Sequence, residues 1–125
     1  MGKRNKFLCM NWKNNFVAGK ELVLATASKK GLPNANIAVS LGFVDGKLLM
    51  ADCEMRRTRK NLSENKNICV VGGHYRIKGK VKTFESGKYF DICVKKSHGY
   101  VVKKAVVIDV GEVFDLYEGE TVKDV

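Results

Sequence analysis

"NANIAVSLGFVDGKLLMAD", residues 34–52, decides how this chain folds. Ala35, Ile37, Val39 and Leu41 alternate with Asn34, Asn36, Ala38 and Ser40, the two-residue period of a strand whose faces meet different surroundings. On this pattern the apolar set faces a core and the small polar set forms the second face. Asp45-Gly46 follows, and both residues suit the positive φ that the central positions of a type I′ turn require. The chain should therefore reverse there and run back as "KLLMAD", making the strands before and after the turn antiparallel neighbours.

Strand patterns recur on both sides of this hairpin. "ELVLATAS" (21–28) is β-leaning, "NICVV" (67–71) has the composition of a buried strand, and "KAVVIDVGEVFDL" (104–116) predicts a long terminal strand. In "HYRIKGKVKTF" (74–84), Tyr75, Ile77, Gly79, Val81 and Thr83 share one face, with Arg76, Lys78, Lys80 and Lys82 on the other. Phe7, Leu8, Trp12 and Phe16 recur at helical spacing. A second helix is expected over "TRKNLSEN" with Thr58 as N-cap, and a third after Ser86, through "GKYFDICVKKSH" to Gly99. Six or so strands with three short helices and mostly hairpin connections predict an α+β, mainly antiparallel β domain of barrel-like form, with residues 1–125 as one unit.

The composition of 125 residues, 45% hydrophobic, is enough to bury about two thirds of the unfolded surface without staples. Lys and Arg number 23 against 13 Asp and Glu, and the net charge of +10 suits an anionic ligand, a nucleic acid or a membrane surface. No apolar run approaches the length of a membrane span, and the basic N-terminus lacks the apolar stretch of a secretion signal. Gly2 is followed at position six by Lys6 rather than a hydroxyl, against myristoylation. Cys9, Cys53, Cys69 and Cys93 form no C-x-x-C, so free thiols in a cytoplasmic protein are expected. With His74 and His98 they still lack the paired spacing of a zinc site, and no metal is expected.

"CEMRRTRKNLSEN" (53–65) gathers Arg56, Arg57, Arg59 and Lys60 around Thr58 where a helix begins. A helix start already carries about half a positive elementary charge, so cations there call for an anion among them. A phosphate could take first-turn N–H groups, the Thr58 hydroxyl and a guanidinium fork; solvated surface charge is the other reading. The small face of Asn34, Asn36, Ala38 and Ser40 could let a planar ligand approach the backbone, or simply face solvent. The stripe of Arg76, Lys78, Lys80 and Lys82 resembles a single-strand binding surface, but Tyr75 lies on the opposite face, so charge and aromatic do not interleave. His74, His98, Asp45, Asp52 and Asp91 fall in no catalytic motif. Catalytic residues stay unassigned, and a reaction carried by a cofactor fits better than one carried by side chains.

The order of the pieces adds to this. Ala25-Thr26, Gly31-Leu32-Pro33, Asp45-Gly46, Arg57-Thr58, Asn61-Leu62 and Asn67-Ile68-Cys69-Val70 follow one another at spacings that resemble the pyridoxamine 5′-phosphate oxidase-like family of FMN-binding split barrels. The resemblance implies a six-stranded split β-barrel with short flanking helices, a homodimer, and FMN at the subunit boundary. It puts the FMN phosphate on Arg56, Arg57 and Thr58. It lines the flavin with Asn36, Ile37, Ala51 and Asp52, and leaves Asn61 to brace the loop. Arg57 stands where many relatives carry Lys, which keeps the charge and changes the hydrogen-bond geometry. No counterpart of the oxidases' C-terminal substrate segment is found, which argues against vitamin B6 oxidation. Small members of the family look instead like FMN reductases, flavin electron carriers, or proteins that bind a deazaflavin or haem. The expectation is a homodimeric FMN oxidoreductase with a small-molecule or protein redox partner; a non-enzymatic electron carrier and a nucleic-acid-binding barrel are the alternatives. The apolar "AVVIDV" strand and the Trp12 helix offer surface for the dimer.

Overall fold

The computed structural model describes residues 11–122. A 3₁₀ turn, Trp12–Asn15, is followed by β1 (Glu21–Ala27), β2 (Pro33–Val39), β3 (Phe43–Val44), β4 (Lys47–Asp52), α1 (Arg56–Glu64), β5 (Asn67–Gly72), β6 (Tyr75–Phe84), α2 (Lys88–Lys96), β7 (Lys104–Asp115) and β8 (Glu120–Thr121). All the strands join one antiparallel sheet in the order β2-β1-β5-β6-β7-β4-β3, with β8 paired to β7. The expected six strands are therefore eight, because β3 and β8 are two-residue strands. Of the three expected helices, two are α-helical. The described part of the first is the 3₁₀ turn, and its Phe7 and Leu8, like Cys9, lie outside the described residues.

β2 and β3 are the two ends of the sheet, yet only residues 40–42 separate them in the chain. Four residue steps reach at most about 15 Å. Six strand spacings in a flat sheet would need about 29 Å. The sheet must therefore roll until its ends approach each other. Ser40 directs this bend from a fully buried position: its hydroxyl donates to the Phe16 carbonyl at 2.6 Å and accepts from the Gly42 N–H at 2.9 Å.

The hairpin forms at the expected turn, with Asp45 and Gly46 at φ 54° and 76°. Its ladder is short, however. Phe43 and Val44 pair with Leu48 and Lys47, backbone bonds join Leu49 to Leu41 and Gly42, and there it ends. The main part of the preceding strand, β2, pairs with β1 instead of β4. Its faces are also the reverse of the expectation. Ile37 and Val39 are 65% and 51% exposed, whereas Ala38 packs on the core and Ser40 is buried. Inside a small rolled sheet the wall crossed by a bend has room only for small side chains, and sequence alternation alone does not say which face is inside.

Leu22, Leu24, Leu48, Met50, Val70, Ile77, Val81, Ile108 and Val113 fill the interior, closed at one end by Trp12 and Phe16. A second cluster lies where α2 covers the outer face of β4 and β7, with Leu49, Cys93, Ala105 and Val107 buried. The "AVVIDV" strand and Trp12 are thus covered within the chain and offer nothing to a partner, contrary to their sequence-based role. What remains open is the outer face of β2, β1 and β5: Val23 and Ile37 are paired across the ladder and exposed, with Val71 beside Val23.

Candidate functional site

β4 has strand partners on one edge along its whole length, through β7, but on the other edge only as far as Leu49. Beyond that point Met50, Ala51 and Asp52 have no strand beside them, and β2 has none on the edge away from β1. A cleft of about 590 Å³ opens near these two bare edges. Asn36, Ile37 and Val39 line it from β2, and Ala51 and Cys53 from β4 and the residue after it. The residues leading into α1, Glu54 and Met55, form another wall, and the end of α2 with the following turn forms the last: Lys96, Ser97, His98 and Tyr100. The volume lies within the range of about 300–1,000 Å³ typical of small-molecule sites.

α1 stands at the mouth, tied to both sides. The Thr58 hydroxyl, 2% exposed, donates to the Asn36 side-chain oxygen on β2. Asn61 Nδ2 donates to Thr26 Oγ1 on β1 at 3.0 Å, both groups buried. From β4, the buried Asp52 carboxylate accepts from the Met55 N–H at 3.0 Å and from Arg59 Nε and Nη2 at 2.5 and 3.0 Å. That bond pushes Arg59 further above its already high range. Thr58 is therefore not the N-cap. The helix begins two residues earlier, Met55 occupies the capping position without a side-chain bond, and Asp52 serves from outside the helix. The same holds at α2, where Gly87 rather than Ser86 stands at the cap and no side chain caps the helix.

No acidic residue lies in the first turn of α1, and Arg56 and Arg57 are exposed with no ion pair among the described residues. The Arg56 N–H donates to the Glu54 carbonyl at 3.0 Å, so the arginine charges and the remaining first-turn N–H groups are what this helix start offers an anion. Cys53 on the cleft wall is half-buried, and burial pushes its thiol above the ordinary range, reinforced by the charges of Asp52 and Glu54. Cys93 beneath α2 is pushed up to about 11, again chiefly by burial, so it is an inert thiol at neutral pH.

Of the eight residues singled out from sequence, Asn36, Ile37 and Ala51 line the cleft, and Thr58 bonds to one of them. Arg56 and Arg57 follow the wall residue Met55 at the start of α1 and do not themselves line the cleft. Asp52 and Asn61 are turned away, into bonds that hold α1. Sequence reasoning missed the wall made by Lys96, His98 and Tyr100. Their only signal was the cationic helix end closed by Gly99, which says nothing of what that end meets. Among the described residues no group of three or more His, Cys, Asp or Glu side chains could hold a metal ion, and no helix is long and apolar enough to cross a membrane.

Comparison with known proteins adds the following. A family model described as pyridoxamine 5′-phosphate oxidase matches residues 14–117. An uncharacterized protein of Methanocaldococcus jannaschii is 31% identical over 108 residues, covering 77% of this chain and 72% of the relative. Among solved structures, HupZ of Group A Streptococcus superposes with a TM-score of 0.76 at 23% identity, covering 82% of this chain and 90% of the other. An FMN-binding protein from Syntrophomonas wolfei gives 0.62 at 18%, covering 82% and 79%. HutZ, the heme storage protein from Vibrio cholerae, gives 0.58 at 14%, covering 78% and 86%.

Proposed function

We propose, since this chain belongs to the pyridoxamine 5′-phosphate oxidase family, that it is an FMN-binding protein of split-barrel type, an oxidoreductase that passes hydride or electrons through the cofactor. The observation that carries the proposal is the cleft beside two bare strand edges, with the arginine-bearing start of α1 directly after its wall residue Met55. The donor set fits FMN. Main-chain groups of β2 and β4 can read the polar rim of a planar ring. Ile37, Val39 and Leu41 offer apolar contact, and the small Ala38 and Ala51 leave it room. Arg56 and Arg57, with the N–H groups of the first turn of α1, would hold the phosphate. Thr58 and Asp52 would orient that turn, and Asn61 would brace it against β1. When bound, the flavin supplies the redox chemistry, and the chain positions it and sets its electrostatic surroundings.

The test is titration with FMN and with riboflavin, followed by flavin fluorescence and absorbance. FMN should bind, and Arg57→Ala should weaken FMN by roughly tenfold or more while changing riboflavin little, because only FMN carries the phosphate. Absence of any FMN binding, or equal losses for both ligands, would overturn the assignment. Anaerobic mixing with NADH and NADPH then separates an enzyme from an electron carrier: bleaching with turnover on an added acceptor marks the enzyme, reduction only by another redox protein the carrier.

Haem is the second reading, favoured by the exposed His98 imidazole on the cleft wall and by the heme storage protein among the structural neighbours. His98 would hold the iron, and added hemin should then show a Soret maximum shifted from that of free hemin, a shift that His98→Ala abolishes. A homodimer is proposed from the open apolar face of β2, β1 and β5. The free Cys53, Cys69 and Cys93 suit a reducing compartment, and a cytoplasmic location is proposed on that basis.

A further inference from the structure

A second cavity, of about 160 Å³, lies beside α1 and shares only Met55 with the cleft. Arg59 and Ser63 line it from α1, Lys66 from the following loop, and Thr83 and Lys104 from β6 and β7, with Asp52 at its edge. Three cationic residues thus border one small space, beside the apolar Met55, Leu62 and Val106. At about 30 Å³ per water, it holds roughly five waters or one compact ion.

Two carboxylates bear on these cations. Asp52 is committed to Arg59 and to the Met55 N–H. Glu85 approaches Lys104 Nζ at 3.7 Å with its own side chain 74% exposed, the kind of surface pair that contributes little. Lys66 has no ion pair among the described residues, and its backbone is tied to β6 through its carbonyl, which accepts from the Val81 N–H at 2.9 Å. The Ser63 hydroxyl donates to the Lys60 carbonyl, whereas the Thr83 hydroxyl makes no hydrogen bond among the described residues and is free to donate. The lining therefore carries three cations against the single carboxylate of Asp52, with the Thr83 hydroxyl among them. A tetrahedral oxyanion would supply a further acceptor, with charge-assisted bonds from both lysines.

We propose that this cavity is an anion site separate from the cleft, taking a compact oxyanion of the orthophosphate class. Titration of the ¹⁵N-labelled full chain with sodium phosphate, at ionic strength held constant with sodium chloride, tests it. The amides of Ser63, Lys66, Thr83 and Lys104 should shift together and saturate. Lys66→Gln combined with Lys104→Gln should weaken the binding at least about tenfold, while Arg57→Ala leaves it unchanged. Shifts confined to residues 56–58, a linear drift without saturation, or full affinity in the double variant would each overturn the proposal. Glutamine removes the charge while keeping a polar side chain only one bond shorter, and the spectrum itself reports whether the variant is folded. Failure of the chain to bind FMN would remove the proposed function and leave this test untouched.

Discussion

Asp52 concentrates more consequence than any other single side chain at the site. It ends β4, its carbonyl accepts from the Lys103 N–H at 2.8 Å, and its carboxylate fixes both the start of α1 and the Arg59 fork. Replacing it by Ala would leave a guanidinium and a backbone donor without their acceptor. Arg59 retains some access to water, with its side chain 28% exposed, so the cost should fall below that of a fully buried pair. We expect Asp52→Ala to lower the unfolding free energy by about 2–3 kcal/mol, measured by urea denaturation. A loss below about 0.5 kcal/mol, the level of an ordinary surface change, would show that the carboxylate does not hold α1. The surplus of positive charge at residues 56–60 was legible in the sequence. Its partition was not: Arg59 is neutralised by Asp52 while Arg56 and Arg57 have no ion pair among the described residues, and that depends on how the turn after β4 brings Asp52 back under the helix. The same limit explains Thr58. A helix starting two residues earlier than its spacing suggested turns a capping hydroxyl into a buried bridge to Asn36.

At the scale of the element, β6 shows how a strand pattern can be right in its alternation and still hide its geometry. Tyr75, Ile77 and Val81 are buried and Lys78, Lys80 and Lys82 exposed, as the two-residue period requires. Gly79 shares the inner face, and the reason it is glycine emerges only from the pairing. The register with β7 slips between Lys78 and Gly79, a bulge where a Cβ on Gly79 would lie 2.3 Å from the Asp109 carbonyl oxygen. The closest obstacle is backbone, and the next, Ile108 Cγ2 at 3.1 Å, belongs to a fully buried side chain, so no flexible side-chain end can yield. Gly79→Ala should therefore destabilise the chain by at least about 2 kcal/mol, at the upper end of overpacking costs, and lower the thermal midpoint accordingly. An unchanged midpoint would mean that the bulge relaxes freely. For β2 the failure was of a different kind. The alternation of Ile37 and Val39 with Asn36 and Ala38 is plain, but an apolar face packs equally well against a partner as against the chain's own core. Only the Ser40 bend, invisible to periodicity, selects the inner face.

For the whole molecule, that reversal moves the argument for a dimer to a new place. One half of the sheet's outer surface, over β4 and β7, is covered by α2. Among the described residues no helix lies over the other half, where Val23 and Ile37 face outward at 39% and 65% exposure, with Val39 beyond them. A contiguous apolar surface on a soluble domain carries a continuing cost in water, which a second copy packed on the same face would remove. Two-fold pairing places Val23 near the middle of such an interface, flanked by Ile37 and Val71 on neighbouring strands. Its side chain does not line the cleft, so a charge there tests association without touching the proposed flavin site. We expect the wild-type chain to sediment at micromolar concentration with twice the 14.0 kDa mass of one chain. Val23→Glu would bury one carboxylate from each subunit close to its symmetry mate, a penalty of several kcal/mol, and should give the monomer. A far-ultraviolet spectrum equal to that of the wild type would show that the variant is folded. Retention of the dimer by a folded Val23→Glu chain would place the interface elsewhere, whereas a wild-type monomer would leave the exposed face without the partner its composition calls for.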